Sequence, residues 1–168
     1  MHRRLVLVSA LAAPLIAAGL GAGLSETAPQ PAAPTSNAPV PYALTMGDMM
    51  NTLIQPRHTK LGLAAQAENW ALANYALVEI RQAFAGIIKA QPRFRGMPVT
   101  ELVEAAMSRP LDALDAAIKQ QDKQKFVSAY DQLTQGCNAC HTSLNHPYVV
   151  IKTPDASAFP NQDFGTRH

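Results

Sequence analysis

The sequence predicts an all-α domain, and three observations carry that prediction. Much of the apolar fraction of 48% is alanine, while aromatics make up only 6%; alanine is the strongest helix former. Runs of β-branched residues are scarce, which leaves little material for strands. Between residues 42 and 144, apolar side chains recur at steps of three and four, the period of a helix with one buried face. A chain of 168 residues is long enough for one such domain with terminal extensions and too short for two ordinary ones.

Four helices can be placed in order. The first covers about residues 44–67 and contains Pro56, which removes a backbone donor and crowds the preceding turn. That segment is one kinked helix or two short ones in series. The second starts after Asn69, a good N-cap, and carries Leu77, Ile80, Phe84 and Ile87 on one stripe. Residues 91–98, with two prolines and a glycine, read as a loop. Thr100 can cap the third helix, with Glu101 and Glu104 near the positive end of its dipole. Its apolar face is Leu102, Ala106, Leu111, Leu114 and Ile118, and Pro110 is expected to kink or restart it. Asp122 caps the fourth, where Phe126, Ala129, Leu133, Cys137 and Cys140 follow at helical steps. Both thiols therefore fall on the core-facing stripe, provided the helix continues through Gly136.

The ends have a different character. His2, Arg3 and Arg4 precede an apolar run from Leu5 to Leu20, the layout of an export signal. Residues 1–24 are assigned to it, with an uncleaved anchor as the alternative. The strongly apolar part is somewhat shorter than the ~20 residues of a bilayer span. Residues 25–41 carry prolines at 29, 31, 34, 39 and 41 and form a stiff tether. After the helical part, residues 42–144, the segment 145–168 reads as an extended strap over the helices. The formal charge of +2 and its scatter give no nucleic-acid surface.

The chemistry sits in Cys137-Asn138-Ala139-Cys140-His141. Two cysteines two residues apart can each form a thioether with one haem vinyl group, and the adjacent histidine then faces the iron. A thioredoxin-like pair opens a helix, where the dipole lowers a thiol pKa, whereas this motif closes one. A disulfide across two residues constrains almost nothing. Zinc wants four ligands, and the chain has two cysteines and five histidines. The residues point to one covalent haem c.

Four helices with this motif near the end of the last one resemble the class II c-type cytochromes, the cytochrome c′ group. The resemblance covers about residues 42–144 and is strongest at the motif. It implies a four-helix bundle with Cys137 and Cys140 as attachment points and His141 as proximal iron ligand. It also implies that the first helix meets the opposite haem face, with a methionine ligand or an apolar residue that leaves iron five-coordinate. Homodimers are a further implication. Two features depart from the family. Thr134, Gln135 and Gly136 stand where a basic residue is usual, and the chain continues past the motif to His168. Class I cytochromes place a methionine ligand downstream, and no methionine follows His141.

For the sixth iron position the first helix offers Met50, then Met49, His58 and Met46 in that order, each with a competing role as core filler or, for His58, as part of a solvated polar face. Arg57 and Lys60 can neutralise haem propionates, with Arg81, Arg93 and Arg95 behind them. Trp70 is placed at the junction of the first two helices. The functional expectation is periplasmic single-electron transfer with an unidentified redox partner protein. The alternative is an open haem binding NO or CO. No catalytic set for an enzyme is evident.

Overall fold

A computed structural model describes residues 42–166. The expected signal (1–24) and tether (25–41) lie outside the described residues. The described chain is mostly helical, with four helices. None of them is long and apolar enough to cross a membrane.

The first helix, α1, passes without a break through three segments: an α-turn at Met46–Met49, a π-helical stretch at Met50–Ile54 and an α-segment at Gln55–Gln66. Thr45 and Asp48 close its start as a reciprocal capping box, so it begins two residues later than residue 44. The helix runs on through Pro56 rather than ending there. Pro56 has no N–H to give, and the Gln55 N–H reaches back five residues to the Met50 carbonyl. The wider π turn takes up the extra residue and relieves the crowding ahead of the ring.

Helix α2 is Trp70–Ala90, capped by Asn69, whose side chain accepts from the Leu72 N–H at 3.1 Å. The 91–98 segment is not a plain loop. Strands β1 (Arg93–Phe94) and β2 (Met97–Pro98) pair antiparallel. Arg95 and Gly96 between them both take positive φ, 49° and 83°, the two-residue turn that matches strand twist. Helix α3 is Val99–Gln120. Pro98, not Thr100, occupies its N-cap position, without a side-chain cap, and the helix continues through the buried Pro110 with no restart. Helix α4 is Lys123–Ser143, capped by Asp122, which accepts from the Lys125 N–H at 3.0 Å. It persists through Gly136.

Short connections at residues 67–69 and 121–122 fold α1 back on α2 and α3 back on α4, the arrangement short loops favour. α2 also packs on α3, and α1 touches α4 more sparingly. Leu61, Leu77, Ile80, Ile87, Leu114 and Leu133 form the driest part of the core. Two glycines permit close approach to α4 from either side. A Cβ at Gly62 on α1 would sit 2.7 Å from the Tyr130 hydroxyl, and one at Gly136 would sit 2.5 Å from the Ala106 carbonyl oxygen of α3.

The end of α4 turns the chain back along its own helix. Asn145 adopts a left-handed conformation, φ 62°. The His146 N–H bonds the His141 carbonyl at 2.8 Å and the Asn145 N–H bonds that of Thr142 at 3.1 Å. These paired bonds are the Schellman closure of a helix. From there residues 145–166 run as an irregular strap over α4 and α1. Gln66 Nε2 donates to the Pro154 carbonyl at 3.0 Å, and Asn69 Nδ2 donates to that of Gly165 at 2.9 Å.

Candidate functional site

Every helix contributes to one apolar cavity of about 230 Å³. α4 supplies Cys137, Cys140 and His141; α1 supplies Met46, Met50, Ile54 and His58. α2 adds Phe84, the hairpin Phe94, and α3 Val103, Ala106 and Met107, while Val149 and Ile151 of the strap close one side. The motif residues reach this space because α4 keeps one stripe inward for its whole length. Phe126, Ala129 and Leu133 are buried on it, and Cys137 packs against the same core.

Both cysteines are free thiols. Burial pushes the Cys137 thiol up to about 11, with the neighbouring Cys140 adding to the effect, and burial also raises Cys140. They are therefore held as neutral S–H groups. A thiol pair activated for redox chemistry as a thiolate needs the opposite. Among the described residues no group of three or more His, Cys, Asp or Glu side chains could hold a bare metal ion.

His141 is half-buried, and its Nδ1 lies 2.7 Å from the Val149 carbonyl oxygen. A carbonyl only accepts, so Nδ1 carries the hydrogen, and in the neutral ring Nε2 keeps its lone pair. That second nitrogen makes no hydrogen bond among the described residues. The histidine thus has the tautomer a metal ligand requires, fixed by a backbone acceptor.

His58 is the opposite case. It lines the cavity yet is 3% exposed, so it is not part of a solvated polar face. Its Nδ1 meets the Tyr130 hydroxyl at 2.9 Å and its Nε2 meets Thr134 Oγ1 at 3.0 Å. Tyr130 Oη also lies 2.7 Å from the His58 carbonyl oxygen, and Thr134 Oγ1 2.9 Å from that of Tyr130. Burial lowers the imidazole to about 4 and raises the Tyr130 phenol, with Cys137 contributing. The ring is neutral at pH 7, so its one N–H and the two hydroxyls bring three hydrogens to these four contacts: one hydroxyl gives its hydrogen to the unprotonated ring nitrogen instead of a carbonyl, and both ring nitrogens are engaged.

The π segment sets which α1 residues face the cavity. In an ideal α-helix a stride of four overshoots a full turn by about 40°, so three strides would carry residue 58 far from the face of residue 46. The π turn absorbs that drift, and Met46, Met50, Ile54 and His58 all line the cavity. Met49 does not line it; it is buried in the core, 3% exposed.

The basic residues weighed for propionates lie elsewhere. Arg57 bonds Glu79 at 3.2 Å and the Leu53 carbonyl at 2.8 Å, and Arg81 bonds Asp112 at 2.8 Å. Lys60 sits over the Phe159 ring. None of these, nor Arg93 or Arg95, is on the cavity wall. Trp70 packs edge-on against Phe126 of α4, with ring centroids 6.2 Å apart. His146, Met107, Val149 and Ile151 line the cavity and were not singled out from sequence. For His146 the adjoining proline spoke only of a helix end.

Comparison with known protein families, characterised proteins and solved structures finds no match for the chain.

Proposed function

We propose that the chain is an exported mono-haem c-type cytochrome, built as a four-helix bundle and working in periplasmic single-electron transfer. The observation that carries this reading is the convergence of Cys137, Cys140 and His141 on the apolar cavity that Met46 and Met50 also line. The donor set fits a haem. Two neutral thiols two residues apart can each add across a vinyl double bond, sulfur to one carbon and its hydrogen to the other, with no net oxidation. His141 offers Nε2 to the iron, and the bound haem supplies a one-electron couple tuned by its axial ligands and burial.

The sixth position falls to Met50, with Met46 one turn before it as the alternative. Met49 is off the cavity and His58 has both nitrogens engaged. A thioether is a soft, weak ligand without a proton to manage, suited to an apolar wall.

A second reading, an open iron site for NO or CO, is favoured by Ile54, Phe84 and Phe94 in the same lining. They offer no ligand atom and would leave a dry space. One experiment separates the two: the full chain, produced with a haem c maturation system, is examined by optical spectroscopy in the reduced state with and without CO. Electron transfer predicts a low-spin reduced wild type, and Met50→Ala becomes high-spin and CO-binding. A high-spin wild type that takes CO directly supports the gas-binding reading. A polypeptide without covalent haem refutes both.

A further inference from the structure

Asn138, the first residue between the two cysteines, is half-buried and engages the strap through both its amide nitrogen and its amide oxygen. Its Nδ2 donates to the Ile151 carbonyl at 2.9 Å, and the Ile151 N–H donates to its Oδ1 at 2.7 Å. A side-chain amide thereby pairs with one residue of backbone as a neighbouring strand would. Two residues earlier, the Val149 carbonyl accepts from His141 Nδ1 at 2.7 Å. Along the strap Val149, 40% exposed, and the half-buried Ile151 touch the cavity, whereas Val150 between them is 71% exposed and does not. In extended backbone, residues two apart point to the same face. Fixing Ile151 therefore also fixes Val149, and with it the acceptor for His141.

We infer that Asn138 is a positioning residue for the iron ligand: it clamps the strap at Ile151 so that the Val149 carbonyl holds His141 in its Nδ1–H tautomer and strengthens Nε2 as a ligand atom. This rests on the haem reading above. An acceptor on the non-ligating nitrogen of a metal-bound histidine strengthens its donation, and loss of such a partner typically costs about 10–100-fold in metal affinity or activity. Stronger donation favours the oxidised iron, so the intact clamp lowers the reduction potential. The Schellman closure at Asn145 supplies the turn that brings the strap back to the motif. The continuation of the chain beyond His141 thereby becomes part of the site.

Two variants break the clamp from opposite sides in the full-length holoprotein. Asn138→Leu removes both amide bonds at nearly constant size. Ile151→Pro deletes the N–H donor and lies outside the attachment motif, so it keeps the test intact if Asn138→Leu impairs maturation. Each is expected to shift the oxidised-to-reduced equilibrium about tenfold toward reduced, a rise of about 59 mV for a one-electron couple. The double variant is expected to match either single one, since both break the same unit. Thr142→Val, which removes only the 2.9 Å bond from Thr142 Oγ1 to the Asn138 carbonyl, leaves the potential unchanged. Haem present in every variant, with potentials equal to the wild type, overturns the inference and leaves the haem reading standing. A wild type without covalent haem overturns both.

Discussion

His58 makes the stability of the domain depend on pH in a calculable way. The ring is 3% exposed, and its pKa falls from 6.5 to about 4 because burial penalises the charged form. Above pH 6.5 the imidazole is neutral in both folded and unfolded chains, and its contribution is fully present. As pH falls from 6.5 toward 4 the unfolded chain takes up a proton that the folded one refuses, and stability is lost across that window. At 1.36 kcal/mol per pH unit the gap corresponds to about 3 kcal/mol, or a Tm decrease of roughly 10 °C for a domain of this size. The comparison is His58→Leu, in which Tyr130 Oη keeps the backbone carbonyl of residue 58 and Thr134 keeps that of Tyr130. Neither hydroxyl is then left without a partner. Urea unfolding of the full chain at pH 7.5 and pH 4.5 gives the double difference, with the carboxylates common to both proteins cancelling. The wild type should lose about 2–3 kcal/mol more than His58→Leu over that range. Equal losses would refute the buried neutral imidazole.

Gly136→Ala places a methyl 2.5 Å from a backbone oxygen of Ala106 that cannot swing away, and should destabilise by about 1–3 kcal/mol. Gly86→Ala meets nothing within 4 Å and should stabilise by up to about 1 kcal/mol; thermal melts with the same sign for both would contradict the packing described. Pro56→Ala restores an N–H and should relax residues 50–54 to α-helix, turning Met50 off its present face. The reduced spectrum should then move toward high-spin, and an unchanged spectrum would remove the π segment from the ligand's positioning. In Cys137→Ala, one thioether should remain through Cys140, shifting the pyridine haemochrome band from its two-thioether position; an unshifted band would show that Cys137 bears no bond.

Local chemistry made part of this legible. Asn69 and Asp122 cap the helices they were expected to cap, because an N-cap depends on residues within one turn of it. The stripe from Phe126 to Cys140 could be read for the same reason: helical register carries it. Pro56 was legible as a disturbance only. Whether a proline kinks, splits or widens a helix depends on what the flanking turns pack against, and here the π turn keeps Met46 through His58 on the cavity. Arg95-Gly96 hid a hairpin because strands of two residues leave no alternation to read. Arg57 and Lys60 beside His58 in sequence favour a solvated face for it over the ligand role it also offers. Its partners Tyr130 and Thr134 are more than seventy positions away, and only the crossing of α1 and α4 brings them together. The bond from His141 to Val149 was hidden likewise, since a strap of no regular structure gives no register from which to place a carbonyl.

Attachment of a haem through the two sulfurs of residues 137–141 can be read from mass alone. Intact-mass and peptide-mass measurement of the full chain, coexpressed with a haem c maturation system and then denatured in acid, tests this directly. One haem mass is expected on the peptide containing Cys137, Cys140 and His141, absent from the Cys137→Ala, Cys140→Ala double variant. A wild-type peptide of unmodified mass, from cells that mature a control c-type cytochrome, would contradict it.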